Sequence, residues 1–325
     1  MISIDKIVKD GFFLEDKGRP IKHVAALSLR TSLKAYMATY STMRLYVSQL
    51  QGDITPEVMD MVHNLEYCEN AVETIIHFQH FVELICKDIL SDIHPLLADE
   101  ASRSAVVIYK LLNKQPLNEQ EDSQIRLIEF TDALERVVEL RCEGVALGQA
   151  AQVLAGAVPW LQRVNKLRNR TWHRGRFILH CGALDALMGC YVLPFIENLL
   201  AIQPYDSIVR RAQHKALHCG INPSGEIIKR YQTTSVDVGE IAFLKEMGRA
   251  AYESPLQTGR YAEHFNAQHR DRAERLAYSE ETNAADIRTC PVCGVDTLRL
   301  FDDEDELTGD DVQTAKHVRY TYAAK

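Results

Sequence analysis

Residues 177–202 are apolar almost without interruption, and they constrain the fold more than any other part of the chain. A helix that is apolar on most sides has no face to give to water and has to sit inside a bundle of other helices. Pro194 within the run removes a backbone donor and is expected to kink it. The same pattern extends back along the chain. Apolar residues recur at helical spacing over residues 21–52, around Val24, Leu27, Leu33, Met37, Leu45 and Leu50. After a break at Gly52 to Pro56, a long helical stretch covers 57–97, interrupted by Pro95. Its second half, 75–90, is strongly apolar and carries Glu83 and Lys87 four apart, a spacing that pairs them on one face.

Further helical windows cover 99–112 and 118–142. Between them Gln115-Pro116-Leu117-Asn118 reads as a loop ending in a helix cap. Residues 144–160 are small and apolar, broken by Pro159. Beyond Pro204 the chain is more polar, with helices expected at 207–218, 238–253 and 260–278. Strand signals are scarce before residue 285, and only 318–322 looks β-like near the end. The expected fold is therefore all-α, an antiparallel helical bundle with a small C-terminal appendage. The expected division is an N-terminal helical segment (1–55), the bundle (56–203), an additional helical region (204–285) and the tail (286–325).

Apolar content of 46% and charge of 25% are ordinary for a globular protein that builds a core without staples. The net charge of -8 excludes a general nucleic-acid coat protein, so any nucleic-acid contact has to come from a local basic patch. One such patch exists. Residues 163–176 hold Arg163, Lys166, Arg168, Arg170, Arg174 and Arg176 with no acid, whereas 301–311 hold seven acids. Of eight cysteines, all but Cys290 and Cys293 are scattered through helical-looking segments, as free buried thiols are. The start, Met-Ile-Ser-Ile-Asp-Lys, lacks a basic region followed by an apolar run, and no window is expected to span a bilayer. A reducing cytoplasm is the expected compartment, with no membrane partner.

The basic patch is the most informative segment: Leu167-Arg168-Asn169-Arg170-Thr171-Trp172-His173-Arg174-Gly175-Arg176. Asn169 and His173 share a face if the segment is helical. An imidazole among guanidinium groups is held toward its neutral form. It can then take a proton from a ribose 2′-OH, while the Arg168 guanidinium stabilises charge developing on a phosphorane. Arg170, Arg174 and Arg176 are candidate RNA-backbone contacts. Asn169 is a candidate to hold Arg168 or His173, or to contact phosphate. Trp172 suits core or dimer contact better than base stacking. The bland alternative is a solvated basic helix end ahead of Gly175, which the helix dipole favours in any protein.

Arg168-Asn169, three residues, then His173 resembles the Arg-Asn-x-x-x-His signature of the HEPN superfamily. The stretch from His77 to Leu90, with Glu83 and Lys87, resembles the earlier HEPN helix that faces the catalytic one. The resemblance covers about 57–202 and implies a helical bundle. It further implies a homodimer in which Arg and His of two subunits meet, and a metal-independent endoribonuclease leaving a 2′,3′-cyclic phosphate and a 5′-hydroxyl. Arg168, His173 and Asn169 are its implied catalytic residues. Glu83 supports them, either by orienting Arg168 or by pairing with Lys87. Many members are toxins or antiviral-defence effectors, which implies an antitoxin or defence-system partner protein. The alternative within the family is a non-catalytic nucleotide-binding, RNA-binding or scaffold module.

Cys290-Pro291-Val292-Cys293-Gly294 looks like half of a zinc ribbon, which makes Cys290 and Cys293 candidate ligands of a structural zinc. No cofactor is expected for catalysis. A closed site needs four ligands, and no second Cys-x-x-Cys follows. His317 is a candidate third ligand, and a partner subunit is a source of the fourth. His214, His218 and Cys219 form a weaker metal candidate, expected at a helix end capped by Gly220.

Overall fold

The computed structural model describes residues 20–40, 63–100, 104–113, 115–122, 125–173, 175, 177–214, 216–233, 236–254, 262–278, 286–301 and 317–320. They divide into two compact units, Met1–Gln213 and His214–Lys325. Helix dominates the described residues, as the periodicity predicts.

In the first unit α1 (Pro20–Ala38) and α2 (Leu65–Ile93) make the most extensive contact. Their packing is tied by polar bonds as well as apolar burial. Ser32 Oγ donates to the Thr74 carbonyl at 2.8 Å, and Ser28 Oγ lies 2.8 Å from His80 Nδ1. α2 starts where the Asn64 side chain accepts from the Tyr67 amide at 3.0 Å, satisfying a first-turn donor that the helix leaves open. His94 ends it and caps the short α3 (Pro95–Ala98), so Pro95 begins a helix as it interrupts one.

The windows 99–112 and 118–142 are shorter as helices than expected. Asp99–Glu100 (β1) pairs antiparallel with Arg126–Leu127 (β2), leaving helices α4 (Ala105–Leu112), α5 (Glu119–Asp122) and α6 (Phe130–Cys142). The expected cap at Asn118 is present: its Oδ1 accepts from the Glu121 amide, and Glu121 Oε2 accepts from the Asn118 amide, both at 2.9 Å. Arg136 Nη1 donates to the carbonyls of Leu97 and Asp99 at 2.8 and 3.2 Å, anchoring α6 to this crossing.

Pro159 does not break its helix. α7 (Gly148–Arg168) runs through it without interruption. The run 177–202 is helical only from Cys181, as α8 (Cys181–Leu187), a π turn (Met188–Val192) and α9 (Leu193–Leu200). Residues 177–180 precede it without helix or strand. The π turn ends two residues before Pro194, the residue expected to disturb the ladder. Cys181–Leu200 also has the length and composition of a membrane span, with mean hydropathy 1.4, contrary to the expectation of no such window. In the structure 56% of it is buried. Phe78 of α2, Trp160 of α7 and Phe195 of α9 meet there, with ring centroids 5.5–6.1 Å apart. α10 (Asp206–Ala212) closes the unit against α1. Tyr205 just before it donates to Asp88 Oδ2 at 2.9 Å.

The expected helix 207–218 ends early, at Ala212. Residues His218 and Cys219 therefore lie in a turn, not at a helix end. The second unit contains α11 (Pro223–Tyr231), in a polar stretch where no helix is expected, α12 (Val238–Glu253) as expected, and α13 (Ala262–Ala277). A three-stranded antiparallel sheet follows: β3 (Asp286–Thr289), β4 (Asp296–Phe301) and β5 (His317–Tyr320), in the order β3-β4-β5. The acidic run 302–311 lies outside the described residues. No disulfide joins any of the eight cysteines. Of the six scattered ones Cys86 and Cys181 are buried and Cys68 is half-buried. Cys142, Cys190 and Cys219 are exposed, so only some are core thiols.

Candidate functional site

α7 delivers the basic segment. Its last turn carries Lys166 and Arg168, cations placed where the helix dipole favours them. The chain then adopts a π turn, Asn169–His173, which packs against α2. This turn changes the geometry of the motif. In an α-helix, residues five apart point about 140° from one another. In a π turn the hydrogen bonds run between residues five apart, which brings such backbone positions close to register. Arg168 and His173 are five apart.

Arg168 is half-buried, and its Nη1 donates to Asn169 Oδ1 at 3.0 Å. Of the roles open to Asn169, holding Arg168 is the one the structure displays. Thr171 Oγ1 donates to the Phe177 carbonyl at 2.8 Å, closing the loop behind the turn. Arg170 is exposed and its guanidinium lies 3.9 Å from the Phe177 ring centroid, a cation–π contact that leaves its outer face to solvent. Trp172 is 59% exposed. It is therefore not a core residue of this chain. The His173 side chain, Arg174 and Arg176 lie outside the described structure.

α2 carries its own charges further along. Lys87 Nζ donates to Glu83 Oε1 at 2.6 Å, the i,i+4 pair expected from spacing. Glu83 is thus a partner of Lys87. One turn earlier, half-buried His80 sits beside Ser28. Burial holds its pKa below the usual imidazole value. Glu83 opposes that shift, and His77, Lys87 and Arg168 add to it. His80 therefore lies within the field of both Glu83 and Arg168. By spacing alone it reads only as a helix-face residue. The signal available was its position three residues before Glu83, on the same face.

In the second unit Cys290 is buried and Cys293 half-buried. Their side chains hydrogen-bond, and this contact, followed by burial, pushes the Cys293 thiol well above its ordinary value. The backbone of His317, the candidate third ligand, lies in β5. It pairs with Phe301, at the end of β4 remote from the cysteine turn. Five residues of strand separate that position from Asp296, about 17 Å. Among the described residues no group of three or more His, Cys, Asp or Glu side chains already converges as a metal site. Comparison of the chain with protein-family models, with characterised proteins and with solved structures finds no match.

Proposed function

We propose that this chain is a HEPN-type, metal-independent endoribonuclease, working as a homodimer in an antiparallel helical bundle. The observation that carries the reading is the π turn at Asn169–His173. It follows Arg168 directly, it packs against α2, whose His80 lies in the field of Arg168, and it brings backbone positions five apart toward one side. Helices with such turns concentrate at functional sites.

In this reaction the neutral His173 imidazole takes the proton of a ribose 2′-OH. The 2′-oxygen attacks phosphorus, and charge builds on the non-bridging oxygens beside the Arg168 guanidinium. The bond from phosphorus to the 5′-oxygen breaks, and that oxygen is protonated by an imidazolium, for which His173 of a second copy is available. The products are a 2′,3′-cyclic phosphate and a 5′-hydroxyl. Asn169 aims Arg168. Glu83 and Lys87 supply the charged surface behind it. Exposed Trp172 is a contact for the second copy. The biological role fitting this chemistry is a toxin or defence effector held by a partner protein.

The test is cleavage of single-stranded RNA by purified protein with and without EDTA, alongside His173→Ala. Cleavage insensitive to EDTA and lost in His173→Ala, with circular dichroism unchanged, supports the reading. Undiminished cleavage by the variant refutes it. RNA that binds across many substrates without being cut makes the bundle a binding or scaffold module instead.

A further inference from the structure

The lone Cys-x-x-Cys of the second unit has a companion that sequence order conceals. Cys290 to Val295 link β3 and β4 in a tight turn. The Cys290 amide donates to the Val295 carbonyl at 2.8 Å, and the Gly294 amide to the Cys290 carbonyl at 2.9 Å. Far upstream, Leu217-His218-Cys219-Gly220 forms another turn, with the Gly220 amide on the Leu217 carbonyl at 3.0 Å. Each turn ends in a glycine of positive φ, +75° at Gly220 and +73° at Gly294, a backbone state that costs other residues energy. The two turns are joined directly. The His218 amide donates to the Val292 carbonyl at 3.1 Å, and the Cys219 amide to the Pro291 carbonyl at 2.9 Å. The His218 ring also fills the space beside Gly294, where an added Cβ would lie 2.6 Å from its Nδ1.

We propose that Cys290, Cys293, His218 and Cys219 are the four ligands of one structural zinc ion, held within a single chain by these two facing turns. Three sulfurs and one imidazole are a standard closed set for tetrahedral zinc. The paired turns bring all four residues to one place, joined by backbone hydrogen bonds. The supporting core is small: Leu217, Cys290, Val292, Val295 and Thr297 are its buried members at these turns. A sheet of three short strands gains stability from a metal staple. Metal binding here includes rotation of the His218 and Cys219 side chains toward the two thiols, since the imidazole otherwise rests on Gly294. The site needs no partner subunit and is independent of the ribonuclease reading.

Elemental analysis of full-length protein, purified without chelator, tests it. The expected content is about one zinc per chain. It falls roughly tenfold or more in Cys290→Ser and in the double variant His218→Ala, Cys219→Ser. It is retained in Cys142→Ser and Cys190→Ser, which alter exposed thiols of the other unit. Cobalt exchanged into the wild-type protein gives a readout that no variant's folding can disturb. Tetrahedral visible bands, with a charge-transfer intensity matching three thiolates, support the proposal. A wild-type protein free of zinc, a double variant that keeps its zinc, or a cobalt spectrum of two thiolates overturns it.

Discussion

Asn169 is placed to act through Arg168, and a double-mutant cycle separates that role from direct contact with RNA. The bond from Arg168 Nη1 to Asn169 Oδ1 is 3.0 Å long. A hydrogen bond to a charged group contributes about 1.5–3 kcal/mol. Here Asn169 is exposed and Arg168 only half-buried, so solvent reduces the figure to about 1 kcal/mol. At about 1.4 kcal/mol per factor of ten, Asn169→Ala then slows cleavage about fivefold. Arg168→Ala removes a donor to the developing charge and costs about 100- to 1000-fold. Arg168→Lys keeps the charge without the planar fork and falls between them. Once Arg168 is gone, Asn169 has nothing left to aim. The double variant therefore cleaves as slowly as Arg168→Ala alone, within about twofold. Single-turnover cleavage of end-labelled RNA at saturating protein measures all four species, with thermal melting as a check on folding. A further fivefold loss in the double variant refutes the positioning role. Wild-type cleavage by Arg168→Ala refutes the site.

Stability of the first unit depends on pH through His80. Its folded pKa is depressed from 6.5, chiefly by burial, so the unfolded chain takes up a proton that the folded one refuses. Stability therefore falls as pH drops below 6.5 and levels off at the lower folded value. Urea midpoints between about pH 8 and about pH 5 should show this loss, and His80→Gln should flatten it; an identical slope in that variant rules His80 out as the cause. Phe78 joins α2 to Trp160 and Phe195. Phe78→Ala should cost about 3–5 kcal/mol by leaving a cavity among those rings, read as a lower melting temperature. A loss under about 1 kcal/mol would mean that the rings close over the gap.

The helical class, the cap at Asn118, the pair Glu83–Lys87 and the helix Val238–Glu253 were all legible in the chain. Each rests on contacts between residues a few positions apart, and such contacts carry their own periodicity. The breaks were less legible. Pro159 sits inside α7 and Pro95 starts a helix, because the effect of a proline depends on which backbone donors the surrounding fold can spare. The pairing of Asp99–Glu100 with Arg126–Leu127 was hidden because two-residue strands have no period to detect.

By itself the sequence determined that this chain builds a helical bundle and where its basic segment lies, since burial of apolar faces and clustering of charge follow from local order. It also marked Arg168, Asn169 and His173 as candidates for proton transfer and charge stabilisation. Tertiary structure decided the rest. It put a π turn at Asn169–His173 against α2, it added His80 to the field of Arg168, and it joined the His218–Cys219 turn to the Cys290–Cys293 turn. Those relations depend on side chains and backbone groups that are distant in the chain, or on a local winding other than α. Pairing of that kind is set by how the helices and strands pack, and no spacing in the sequence encodes it.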